Sequence, residues 1–399
     1  MASESGELAF TRLEKVIFGA GRIGRLGEEL ELRGAERALI VTTRSLDRSV
    51  LLDRVTEAAG RRCAGVFAGT AQHAPSATVR ALTRELERVG ADAIVSFGGG
   101  SAIDSAKVAV ASIMNGRDMI SEARGLKLSD AFGTASGGRQ LLHIAVPTTL
   151  SAAEMTPAGG VTDEDTRIKH GVVDPRLQPK VVIYDPELTR DTPDWLWVAT
   201  GMRALDHGIE AAYSARRQCF TDALAAKTIE LLVAHLKAGL QGEWDEARIA
   251  HRGECQLGAW CSLYAGFNTG LGLSHAMGHQ IGPMWNVPHG ITSCITLPHA
   301  MRLMAGVAPE RFGPIAQGLN IPFDPGNPAP AAQACARRVA DFIAEFTVAR
   351  SLREVGVPRE ELPRIAGAIH EEIEQFGTVG RPLSRHEVTG LLDAAYERV

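Results

Sequence analysis

The chain has 399 residues, a formal net charge of −5, and 45% hydrophobic against 22% charged residues. Its Lys and Arg residues are scattered, which excludes the basic patch of a nucleic-acid surface, and no apolar run approaches membrane-spanning length. Six dispersed cysteines without a C-x-x-C pair read as reduced thiols, and the first residues lack the basic-then-apolar order of a secretory signal, so a cytoplasmic protein is expected.

In chain order, Val16-Ile17-Phe18 is strand-like and runs into Gly19-Ala20-Gly21-Arg22-Ile23-Gly24, a match to the G-x-G-x-x-G dinucleotide fingerprint. That fingerprint also needs an acidic residue at the end of the next strand. Here Ala38-Leu39-Ile40-Val41 ends in Thr42-Thr43-Arg44, so the motif reads as a plain turn. A helical pattern follows through Val55. Ala93-Ile94-Val95-Ser96-Phe97 is the next apolar strand, and it stops at Gly98-Gly99-Gly100-Ser101. A tight strand-to-helix turn needs one glycine; three let the backbone approach a ligand closely. Ser101 reads as the N-cap of the following helix, whose free N–H groups and dipole suit a pyrophosphate. His143-Ile144-Ala145-Val146 leads to Pro147-Thr148-Thr149 at the same sheet edge, and Val181-Val182-Ile183-Tyr184 is the last strand. Continuous apolar strands alternating with helices predict a parallel, Rossmann-like sheet in an α/β domain over residues 1–188. From about Thr192 the periodicity turns helical, which predicts an all-helical domain over residues 189–399.

Within that second half, His275 and His279 lie four residues apart on one helical face, and His289 follows ten residues later. His207 sits upstream in Gly201-Met202-Arg203-Ala204-Leu205-Asp206-His207. Neutral imidazoles on converging helices are one way to hold a divalent metal, although each histidine alone is as well read as a structural residue.

Taken together, the glycine-serine loop, the Pro-Thr-Thr strand end and the histidine spacing resemble the iron-containing (group III) alcohol dehydrogenases, over nearly the whole chain from Phe18 to Tyr396. The resemblance implies the dehydroquinate synthase-like fold and a nicotinamide cofactor, NAD(P)H, held by Gly98, Gly99, Gly100, Ser101, Thr148 and Thr149, with Thr43 and Lys169 beside it. It places His207, His275 and His289 on the family's metal-ligand positions and His279 on an active-site histidine that does not bind metal. The fourth ligand of the family is an Asp, and this chain has Arg203 there. A guanidinium cannot ligate and repels a cation, so a bound Fe or Zn ion is not expected and the three histidines read as vestigial ligands. The maleylacetate reductase branch also lacks that Asp. It is similar to this chain at Val146 to Pro157, at Val182 to Thr189, at Gly201-Met202 and at Arg381-Pro382-Leu383. It differs in having Asn at the Arg203 position and a shorter segment between Asn115 and Gln140.

The expected reaction is hydride transfer to a small polar carbonyl or enone. Arg203 favours an acidic substrate, His279 is the candidate proton donor, and His207, His275 and His289 are candidate oxyanion donors. The second strand ends without an acidic residue at Thr43, so both NADH and NADPH are open. Two other readings stay open: a metal-dependent alcohol dehydrogenase, and a non-redox lyase on the same fold. The N-terminal Phe10 to Phe18 segment is similar to one that pairs between subunits in the family, so a homodimer is expected. A small-molecule substrate is the only other partner implied.

Overall fold

The computed structural model describes residues 7–8, 10–120, 140–164 and 169–397. Residues 121–139, which hold most of the segment expected to be longer than in the reductase branch, lie outside the described residues, as does the side chain of Lys169.

The described residues contain eight strands: β1 (Lys15–Phe18), β2 (Ala38–Thr43), β3 (Cys63–Thr70), β4 (Ala93–Gly98), β5 (Leu142–Pro147), β6 (Ala158–Thr162), β7 (Lys169–Val173) and β8 (Val181–Tyr184). Six of them form one sheet in the order β1-β8-β5-β4-β2-β3, with every neighbouring pair parallel. Strands β6 and β7 form a separate antiparallel pair. Helices given for the described residues of this half include α1 (Leu26–Leu32), α2 (Val50–Ala59), α3 (Ser76–Arg88) and α4 (Gly100–Asn115). Period-two alternation sends Ala38, Ile40, Val95 and Phe97 to one face, where they pack with Leu26, Leu30 and Val55 of α1 and α2. Leu39, Val41 and Ile94 face the other way, onto Val79, Leu82 and Ala106 of α3 and α4. With both faces covered, the strands are apolar throughout, which is why they stand out in the sequence.

Beyond β8 the described residues contain only helices: α5 (Asp194–Tyr213), α6 (Cys219–His235), α7 (Glu246–Thr269), α8 (Leu273–Trp285), α9 (His289–Val307), α10 (Gly313–Gly318), α11 (Ala329–Ala344), α12 (Leu362–Phe376) and α13 (Arg385–Tyr396), with short 3-10 turns between. Two compact units emerge: residues 10–192 with 242–256, and residues 1–9 with 193–241 and 257–399. The start of α7 therefore packs with the sheet unit, where Gln256 Nε2 donates to the Pro147 carbonyl at 3.2 Å. No described helix is long and apolar enough to cross a membrane, and the six cysteines form no disulfide.

Candidate active site

In the sheet unit, parallel register aligns three strand ends. Val41 pairs with Ser96, so Thr43 stands level with Gly98, and Gly98 pairs with Pro147. Thr148 N then donates to the Gly98 carbonyl at 3.0 Å. The turn itself is tight. Gly98 has φ 146°, a conformation reserved for glycine, and α4 begins at Gly100 with Gly99 as its N-cap. A Cβ on Gly99 would lie 3.0 Å from Thr149 Cγ2, and one on Gly100 would lie 3.1 Å from Ser151 Oγ.

Ser101 is thus inside the first turn and is not the N-cap expected from sequence; its Oγ accepts from His73 N at 3.2 Å. With three glycines preceding it, the helix starts two residues earlier than a Ser101 cap would give. The first N–H groups of α4 have no carbonyl within the helix to meet, and glycine keeps them open to an anion. Lys169 opens β7, opposite Thr162, and Thr162 bonds the His73-Ala74 turn through its N (to Ala74 O, 3.0 Å) and its Oγ1 (to His73 O, 2.8 Å). Both His73 (φ 64°) and Ala74 (φ 48°) are left-handed, a conformation no motif announces.

The first glycine fingerprint has a different fate. Asp185 is buried and points into it, accepting from Gly21 N at 3.2 Å and Ile23 N at 2.9 Å. The anion that this loop binds is the protein's own carboxylate, so the motif is structural. Replacing Gly100 by Val is expected to raise the dissociation constant for NAD(P)H at least about tenfold, roughly 1.4 kcal/mol, with the thermal midpoint little changed; fluorescence titration of the reduced cofactor measures it.

In the helical unit, three helices bring the predicted histidines together. His207 on α5 stacks on His275 of α8 with ring centroids 4.8 Å apart; His275 meets His279 edge-on at 6.4 Å, and His279 meets His289 of α9 at 6.0 Å. The close approach of α9 to α5 rests on Gly290, because a Cβ there would lie 1.7 Å from the Ala199 carbonyl oxygen. Burial holds His207 and His275 well below the usual histidine range, helped by the positive charge of Arg203, so both rings are neutral.

Sequence reasoning missed what holds His275. Glu210, one turn past His207, takes His275 Nδ1 at 2.6 Å and Gly272 N at 2.7 Å on Oε2. Its Oε1 takes Ser274 N at 2.6 Å and the Tyr213 hydroxyl at 3.2 Å. With Nδ1–H committed to a carboxylate, neutral His275 presents a lone pair at Nε2. It is therefore an acceptor, contrary to the oxyanion-donor role expected of it.

Arg203 lies one turn before His207, with 12% of its side chain exposed. Its Nη1 is 3.8 Å from Asp206 Oδ2 and 3.4 Å from Ser293 Oγ. Asp206 is more strongly engaged by hydroxyls, Ser274 Oγ at 2.8 Å and Ser293 Oγ at 2.6 Å. Burial first, then the charge of Glu210, pushes the Asp206 carboxyl up from its ordinary value.

Among the described residues, Asp206, Glu210 and His275 are the group whose ligand atoms converge, all within 4.8 Å of one another. Glu210, however, already receives two donors on each oxygen, which fills its lone pairs, and the guanidinium of Arg203 adds a fixed positive charge at the edge of the group.

Residues 14–186 match the iron-containing alcohol dehydrogenase family, and residues 197–396 match the C-terminal part of the Fe-containing alcohol dehydrogenase family. The chain belongs to the iron-containing alcohol dehydrogenase family. It is accordingly an NAD(P)-dependent oxidoreductase. Among the curated members of this family, lactaldehyde reductase of Escherichia coli strain K12 is 32% identical over 365 residues, 90% of this chain and 92% of that one. Maleylacetate reductase of Burkholderia cepacia is 30% identical over 389 residues, 97% of each chain. The crystal structure of maleylacetate reductase from Agrobacterium tumefaciens superimposes with a TM-score of 0.76 at 25% identity, covering 99% of both chains.

Proposed function

We propose that this chain reduces a small carbonyl or enone substrate bearing a carboxylate, at the expense of NAD(P)H and without a tightly bound metal, in the manner of a maleylacetate reductase. The observation that carries this reading is Arg203. Its guanidinium, with 12% of the side chain exposed, has five N–H donors in a planar fork; Nη1 meets Ser293 Oγ at the long distance of 3.4 Å and lies 3.8 Å from Asp206 Oδ2. Such a group is arranged for a second anion, and a substrate carboxylate or developing oxyanion matches its fork. The similarity to maleylacetate reductases over 97% of the chain supports the same substrate class.

Gly98, Gly99, Gly100 and Ser101, with Thr148 and Thr149, are the residues to hold the cofactor pyrophosphate, and bound NAD(P)H supplies the hydride. Thr43, hydrogen-bonded to Ser45 at 2.8 Å, leaves the end of β2 without an acidic group, so a 2′-phosphate is tolerated there. Arg203 orients the substrate and meets the negative charge that grows on its oxygen. His279, with 32% of its side chain exposed, delivers the proton. His275 accepts from a substrate hydroxyl, while His207 and His289 wall the site.

The test is to follow NAD(P)H absorbance with a panel of keto acids and the corresponding esters and aldehydes, before and after chelation. Acids turn over best and chelators change nothing; tight cofactor binding with no turnover of any acid would sink the proposal. Removing the charge supplies a second check. Arg203→Asp is expected to tighten zinc binding at least about tenfold, because it deletes a local repulsion and adds an oxygen ligand near three imidazoles. Calorimetric titration of the two proteins with zinc measures the difference.

A further inference from the structure

The contact between α8 and α12 carries an arrangement that the reaction above does not require but would exploit. Glu372, on α12, accepts from His279 Nδ1 through Oε1 at 2.5 Å, while its Oε2 accepts from Gln280 Nε2 at 2.9 Å. The side chains of His279 and Glu372 are 32% and 19% exposed, in contrast to the fully buried His275. Two adjacent residues of one helix therefore fix both oxygens of one carboxylate, and the carboxylate in turn fixes the tilt of a single imidazole. A surface ion pair between long side chains has no such constraint.

We infer that Glu372 is a positioning residue for His279, holding its proton on Nδ1 so that Nε2 is the nitrogen that serves the substrate. A ring whose Nδ1–H is given to a carboxylate has one chemical face left, and that nitrogen is not shared with another protein group in the arrangement above. In the reductive direction the carbonyl carbon gains the hydride and a C–H bond forms. The carbonyl π pair moves to oxygen, the Nε2–H bond of the imidazolium breaks, and the proton joins that oxygen as O–H. The ring is left neutral with Nδ1–H still on Glu372, and solvent reprotonates Nε2 through the exposed edge. The inference rests on His279 being the proton donor.

Side-chain nitrogen NMR of the cofactor-free protein reads the tautomer directly, and the expected neutral form of His279 is Nδ1–H. Glu372→Gln is expected to lower kcat roughly ten- to hundredfold, with KM and the NAD(P)H dissociation constant within about threefold of wild type. Introduced into His279→Gln, the same change is expected to do nothing further, since the two residues act as one unit. An Nε2–H tautomer in the wild type, a wild-type kcat in Glu372→Gln, or equal losses on both backgrounds overturns the inference. If His279→Gln is slow and Glu372→Gln is not, the positioning role alone falls. If His279→Gln turns over at full rate, the reading beneath falls with it. Should Glu372→Gln fail to fold, the wild-type tautomer still decides.

Discussion

Arg203→Met lowers kcat/KM for a carboxylate substrate by roughly 30- to 5000-fold, the rate equivalent of the 2–5 kcal/mol that truncating one side of a buried, hydrogen-bonded charge pair costs. The same variant loses about threefold or less on the methyl ester, because the ester brings no charge for the guanidinium to meet. Arg203→Lys recovers part of the loss: an ammonium restores the charge but not the planar two-pronged geometry. Asp206 loses its cation at the same time. Its carboxyl is already pushed up by burial, so it becomes protonated rather than stranded, and a modest drop in thermal midpoint accompanies the kinetic change. Steady-state kinetics on the acid and ester pair decide the matter. Equal losses on both substrates would show that Arg203 supports the fold and not the substrate.

The second large effect is at His279. His279→Gln is expected to lower kcat by about 10² to 10⁴, the usual range for a positioned general acid, with little change in cofactor affinity. The lower end of that range is favoured, since about a third of the side chain is open to solvent (32%) and water can replace part of its function. Rate measurements under saturating NAD(P)H, paired with a binding titration, separate chemistry from affinity. A variant with wild-type turnover would remove His279 from the reaction.

Apart from the edge strand β1, whose Val16-Ile17-Phe18 run also showed, the strands readable from sequence are those buried on both faces, β2, β4, β5 and β8, where apolar residues run without a break. Edge strand β3 (Cys-Ala-Gly-Val-Phe-Ala-Gly-Thr) and the short β6 (Ala-Gly-Gly-Val-Thr) were not, because small residues and glycine carry little β signal. In the site, the spacing of His275, His279 and His289 was visible because it follows helix geometry within one stretch of chain. The carboxylates that orient these rings were not visible. Glu210 lies 65 residues from His275, and Glu372 lies 93 residues from His279. Nothing in local periodicity couples residues so far apart; only the packing of α5, α8 and α12 does. Asp206 lies three residues from Arg203 in sequence, and hydroxyls of Ser274 and Ser293, far along the chain, donate to its carboxylate.

Asp185 gives the fingerprint at Gly19–Gly24 a wider meaning. A loop whose amides are already answered by an acid from 162 residues later in the chain is chemically saturated, however well its glycines are spaced. Genome scans for nucleotide folds would discard many false matches by asking whether a buried Asp or Glu can fold back onto the candidate loop. The same question, asked in reverse, tells a protein engineer which acid to delete when a silent glycine turn is to be opened to phosphate.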